Sequence, residues 1–124
     1  MSLNDATSGA VPRSDVIYVC AGCTHPVRSW AEALTEGGRL LFPITPGWGR
    51  GAMLMVTRRG DRLDAELICR CAFIPCLGAS DTFEEPAVRN AFENLGSRSI
   101  RSLHFGRVPR ATGHWLAGDG WWIQ

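Results

Sequence analysis

Residues 15–45, DVIYVCAGCTHPVRSWAEALTEGGRLLFPIT, change their hydrophobic period twice within one short stretch. Asp15 to Val19 is rich in β-branched and aromatic residues, the composition of a buried strand. Val27, Trp30, Ala31 and Leu34 then recur at i, i+3, i+4 and i+7, which predicts a helix over 26–35 with one apolar face. Thr24 is placed to cap that helix, and Gly37-Gly38 to end it, because glycine tolerates the left-handed conformation. Arg39 to Ile44 returns to a strand composition. Strand, helix and strand with short joints form a βαβ unit, so the two strands should be parallel neighbours with a right-handed crossover.

After Gly51 the period becomes two. Residues 52–58 and 63–74 read as a hairpin around Arg59-Gly60-Asp61-Arg62. Leu63, Ala65, Leu67, Cys69, Cys71 and Phe73 alternate with Asp64, Glu66 and Arg70, the pattern of a half-buried antiparallel strand. Pro46-Gly-Trp-Gly-Arg-Gly51 lacks the spacing and the G-K-[ST] of a phosphate loop. It reads as a strand connection, with Trp48 bordering a cleft. Farther on, Thr82 and Glu85 have capping-box spacing, and Val88, Ala91, Phe92 and Leu95 form a helix face behind Pro86. Ile100 to Phe105 reads as a strand. His114-Trp-Leu-Ala and Trp121-Trp-Ile flank Gly118-Asp-Gly120 as a terminal hairpin.

The order D-x-I-x-V, small residues, Pro, helix and G-G-R-L-hydrophobic-hydrophobic-P resembles the second half of an S-adenosylmethionine-dependent methyltransferase. Met53-Leu-Met-Val-Thr-Arg58, then Ala72-Phe-Ile-Pro75 and Leu77-Gly78, resemble the closing hairpin of protein-L-isoaspartate O-methyltransferases. The resemblance covers residues 15–79. It implies an α/β fold: a partial Rossmann-like methyltransferase sheet, made of the parallel βαβ unit and the antiparallel hairpin, with an α+β C-terminal tail. The expected organisation is a flexible leader at 1–13, a methyltransferase-like half-domain at 14–79, and a helix plus β-hairpin extension at 80–124.

The resemblance also implies a reaction, methyl transfer from S-adenosylmethionine to an isoaspartyl or other carboxylate. In that family the cofactor is held by a glycine-rich turn after the first strand and an acid ending the second, and no residue here matches either. Asp15 matches the acid opening the fourth strand, and Ala21, Gly22 and Thr24 match the small segment under the methyl-transfer cleft. The expectation is therefore a truncated member that binds no cofactor alone. Unpaired on one side, strand 15–19 should either be covered by the tail or recruit a partner, giving a homodimer or docking a chain that supplies the missing half.

Length sets one domain with a modest core. With a net charge of +1 and acids interspersed with the basic residues, nothing points to nucleic acid or a membrane. All 13 basic residues are arginine, which we read as a coding bias. Arg98, Arg101, Arg107 and Arg110 beside the tail tryptophans read as a solvated face over an aromatic core. No apolar run reaches the roughly 20 residues of a membrane span. Neither is there a secretory signal, so a cytoplasmic location is expected.

Chemistry-bearing residues are few. Cys20-Ala-Gly-Cys23 between strand and helix has the spacing of a thiol redox pair, since a helix N-terminus lowers a thiol pKa. The usual companion elements of such a pair are absent, and small apolar packing explains these cysteines more simply. Zinc would need Cys20 and Cys23 with two of Cys69, Cys71, Cys76 or His25, and the second C-x₂-C is lacking. His25 stands at the carboxyl end of a parallel strand, where α/β sheets bind ligands, so it joins Ala21, Gly22, Thr24 and Trp48 as a cleft residue. Its bland reading is a solvated helix-start histidine. Three functions remain: the truncated methyltransferase-like protein, a small binding or assembly module without catalysis, and a CxxC redox protein.

Overall fold

The computed structural model describes residues 11–46, 50–72, 74–76, 78–96, 98–110 and 113–124. Its elements are β1 (Ser14–Tyr18), α1 (Arg28–Glu32), β2 (Leu34–Ile44), β3 (Arg50–Arg59), β4 (Arg62–Ala72), α2 (Glu85–Glu93), β5 (Ser102–Phe105), β6 (Leu116–Gly118) and β7 (Trp121–Ile123). The strands form one seven-stranded sheet in the order β1-β2-β3-β4-β5-β7-β6. β1 and β2 are parallel, as the βαβ reading expects, and every other adjacent pair is antiparallel. The sheet is therefore mixed and mostly antiparallel, not a doubly wound parallel one.

One face of the sheet carries the core. Leu40, Phe42 and Ile44 of β2, Leu54 and Val56 of β3, Ala65 of β4, Leu103 of β5 and Ile123 of β7 are buried and aligned by the strand register. Trp30 of α1 and Val88 and Ala91 of α2 join the same cluster, so both helices cover this face. Trp30 meets Phe42 edge-on at 6.3 Å, and Phe92 meets Trp115 at 5.1 Å. The indole N–H of Trp115 donates to the carbonyl of Ala91 at 2.8 Å, so that aromatic is buried with its polar atom satisfied. Each such large apolar side chain contributes roughly 1.5–3 kcal/mol on burial.

Several local expectations are corrected. α1 spans only five residues and is capped by Val27 without a side-chain bond. Leu34 opens β2 instead of continuing the helix, and Gly37 and Gly38 lie within that strand. The pairing of Leu34 with Ser14 of β1 and a hydrogen bond from Arg58 to the Leu34 carbonyl (2.6 Å) outweigh the weak propensity of so short a helix. The Thr82–Glu85 capping box does not form: Glu84 is the N-cap of α2 and no side chain caps it, while Pro86 sits in the first turn. The second hairpin strand ends at Ala72, and the fifth strand begins at Ser102.

A β-bulge also breaks the expected alternation of β4. The register passes from Met53↔Cys69 to Leu54↔Leu67, leaving Ile68 unpaired. An extra residue flips every later side chain to the opposite face. Leu63, Ala65 and Leu67 thus face the core, whereas Cys69 and Cys71 turn away from it and Arg70 turns toward the helices. Phe73, expected to continue the alternation, lies outside the described residues.

The tail does not cover β1. It extends the sheet beyond β4, at the opposite edge, through β5, β7 and β6. Among the described residues no strand pairs with the outer edge of β1, where Val16 and Tyr18 are 54% and 56% exposed.

Candidate functional site

The segment 20–25 leaves β1 and threads between two others. Cys23 forms a parallel bridge with Ile44 at the end of β2, and Gly22 forms one with Pro75. Gly22 N–H donates to the Ile74 carbonyl (2.8 Å), and Cys76 N–H to the Gly22 carbonyl (2.6 Å). Gly22 is required here, because a Cβ at that position would overlap the Thr45 hydroxyl. The chain's own residues 74–76 therefore fill space beyond the carboxyl end of β1.

Thr24 is fully buried, and its hydroxyl bonds residues far along the chain. It accepts from the Asp81 N–H (2.7 Å) and lies 2.9 Å from Glu84 Oε1, to which it donates. Its own N–H donates to the Ala79 carbonyl at 2.8 Å. The hydroxyl is thus a long-range tether and not the helix cap expected from sequence.

His25 Nδ1 lies 2.6 Å from the same Glu84 oxygen, both side chains being about a quarter exposed. The Glu84 hydrogen bond raises the histidine pKa above its ordinary value, against the opposing effect of burial. Burial alone would raise Glu84, but hydrogen bonds from His25 and Thr24 prevail and hold it below the usual glutamate value. Nδ1 is thus committed to the carboxylate.

The CxxC motif is split between surface and interior. Cys20 is exposed, while Cys23 is buried beside Cys76. The Cys76 hydrogen bond and burial push the Cys23 thiol far above its ordinary range, the reverse of an activated thiolate. All five cysteines are free, and among the described residues no group of three or more His, Cys, Asp or Glu side chains is placed to hold a metal.

The structure thus brings Thr24 and His25 together, buries Gly22 and leaves Ala21 half-buried. Trp48 lies outside the described residues. The residues missed in sequence are Glu84, Asp81 and Cys76, each more than 50 positions from its partner, beyond any local spacing rule. A cavity of about 880 Å³ opens at the other end of the sheet between α1, the β3–β4 turn and β5, and none of Ala21, Gly22, Thr24 and His25 lines it.

The cofactor implied by the sequence resemblance is S-adenosylmethionine, which needs an open crevice, a backbone approach for its charged end and a carboxylate for its ribose. At the carboxyl end of β1 the described residues do not fit it. The backbone of Gly22 is bonded on both sides, the Thr24 hydroxyl is buried, and Glu84 is held by His25 and Thr24.

Comparison with known families supplies the remaining finding. The family model described as Protein-L-isoaspartate(D-aspartate) O-methyltransferase (PCMT) matches residues 3–81. A comparison with individual curated proteins found no match. Because the family match takes in more than half of the 124 residues, the chain belongs to the protein-L-isoaspartate O-methyltransferase family.

Proposed function

We propose that this chain is a methyltransferase-like protein holding the carboxyl-terminal half of the family's sheet, and that by itself it neither binds S-adenosylmethionine nor transfers methyl groups. The family uses that cofactor. The observation carrying this reading is the pairing of Gly22 and Cys23 with residues 75 and 44, which fills the crevice beyond β1 with the chain's own backbone. Family chemistry aligns a carboxylate oxygen with a methyl sulfonium, mainly by positioning. The His25–Glu84–Thr24 cluster supplies a tether between two segments, and a tether gives no such alignment.

Two further features support parts of this reading. Five free thiols accord with a reducing, cytoplasmic setting. Val19 N–H bonds the Leu41 carbonyl in register with Tyr18↔Leu41, so Val16 and Tyr18 direct their own N–H and C=O groups to the free edge. A second copy pairing antiparallel about Ile17 would set each Val16 against a Tyr18, an aromatic–β-branched pair. Native mass spectrometry should show a dimer that Tyr18→Lys converts to monomer. Isothermal titration with S-adenosylmethionine tests the main proposal: absence of heat and of methyl transfer to isoaspartyl peptides supports it, and one-site micromolar binding overturns it.

A further inference from the structure

The bulge in β4 has a chemical outcome. By leaving Ile68 unpaired it turns Arg70 onto the helix-covered face, opposite Ala52. Arg50 stands two residues before Ala52 on the adjacent strand, so register places it on that same face, diagonal to Arg70. Arg89 of α2 completes the group. These three arginines, with Pro46, Phe92 and Glu93, line a pocket of about 270 Å³ at the end of the sheet where β1 and β2 finish.

Three guanidinium groups thus meet one lining carboxylate, and none of the three is ion-paired among the described residues. Arg70 lies over the Phe92 ring, 4.9 Å from its centroid, which fixes its plane without neutralising it. Arg89 makes only a long contact to the Pro46 carbonyl, 3.5 Å. The Arg50 guanidinium has no hydrogen-bonding partner among the described residues. Among the described residues, Arg28 is ion-paired with Glu32, and Arg59 and Arg62 with Asp64. Like charges gathered on one face repel, and bulges occur where a side chain must be re-aimed.

We propose that Arg50, Arg70 and Arg89 form a binding site for a dianionic oxyanion, the phosphate group of a small phosphorylated molecule. Three positive charges against Glu93 leave an excess of two, which matches a phosphate monoester near neutral pH and exceeds what a single carboxylate supplies. Guanidinium forks match tetrahedral oxyanions with paired hydrogen bonds. The site is separate from the His25–Glu84 cluster and does not depend on methyl transfer.

The test uses the full chain and inorganic phosphate as the probe, with acetate and chloride at matched ionic strength. Arginine side-chain Nε–Hε resonances are followed by NMR, and melting by calorimetry. Phosphate should shift the Arg50, Arg70 and Arg89 resonances saturably and raise the melting temperature above the chloride control. Arg70→Gln and Arg89→Gln should each remove that increment, and Arg107→Gln, on the exposed tail, should keep it. Phosphoserine against serine then asks whether a phosphorylated organic molecule is accepted: saturable shifts with phosphoserine alone support the proposal. Equal responses to acetate and phosphate, non-saturating shifts, no binding of phosphoserine, or an increment surviving both pocket variants would overturn it.

Discussion

His25 and Glu84, 59 positions apart, are joined by a 2.6 Å hydrogen bond that ties the exit of β1 to the start of α2. Its contribution depends on pH from both sides. The folded pKa of His25 is raised, so its share is complete below the unfolded histidine value and is lost as pH rises through the folded one. The folded pKa of Glu84 is lowered, so its share is present above the unfolded carboxylate value and is lost as pH falls through the folded one. Stability from the pair should peak between the ordinary carboxylate and histidine ranges. Glu84→Gln should cost about 1–2 kcal/mol there and flatten the profile. Denaturant melts across pH, with NMR titration of His25, check this; an unchanged His25 titration in the variant would refute the link.

Gly51 and Gly37 should respond to alanine differently. A Cβ at Gly51 would overlap the Ile44 carbonyl oxygen and crowd the Thr45 backbone, neither of which can move without breaking the β2–β3 ladder. Gly51→Ala should cost about 3 kcal/mol, the upper part of the range for overpacking. Gly37 has open space around it and a φ of +75°, so Gly37→Ala should cost only about 1 kcal/mol of backbone strain. Urea denaturation of the two variants gives the comparison directly.

Thiol reactivity should sort by position. Cys20 and Cys69 are exposed and should alkylate within the first labelling interval, whereas buried Cys23 and Cys76 should label only on unfolding. Peptide mass mapping after pulsed alkylation reads this out. Rapid labelling of Cys23 in the native protein, or a Cys20–Cys23 disulfide stable under cytosol-like reducing conditions, would restore the redox reading.

Two apolar side chains should bracket the core. Leu54 is fully buried on β3, and Leu54→Ala should cost about 2–5 kcal/mol, a large share of the stability of so small a domain. Phe83 is 92% exposed, and Phe83→Ser should change the melting midpoint little.

The strands were legible because period two and β-branched composition act over a few residues. Residues 15–19, 39–44 and 52–58 fall within β1, β2 and β3 or exceed them by one residue, and the parallel pairing of β1 with β2 follows from the segment joining them. The helix is shorter than the 26–35 its pattern predicts: the i, i+3, i+4, i+7 spacing is real, yet Leu34 satisfies the same apolar demand as the first residue of a strand. An apolar side chain is buried equally well by either backbone, so its spacing does not decide between them.

What the sequence determined by itself was the order and character of the segments: a parallel pair, a hairpin, a helix behind Pro86 and a terminal hairpin around Gly118–Gly120. Tertiary structure alone decided three things. It sent the tail to the β4 edge, because a strand's free hydrogen-bonding edge is open to any chain and carries no address in its residues. It unpaired Ile68, because a bulge is a relation between two strands and leaves each strand's own pattern unmarked. And it joined Thr24 and His25 to Glu84, because contacts across some 60 residues depend on how the whole chain closes, which no local period encodes.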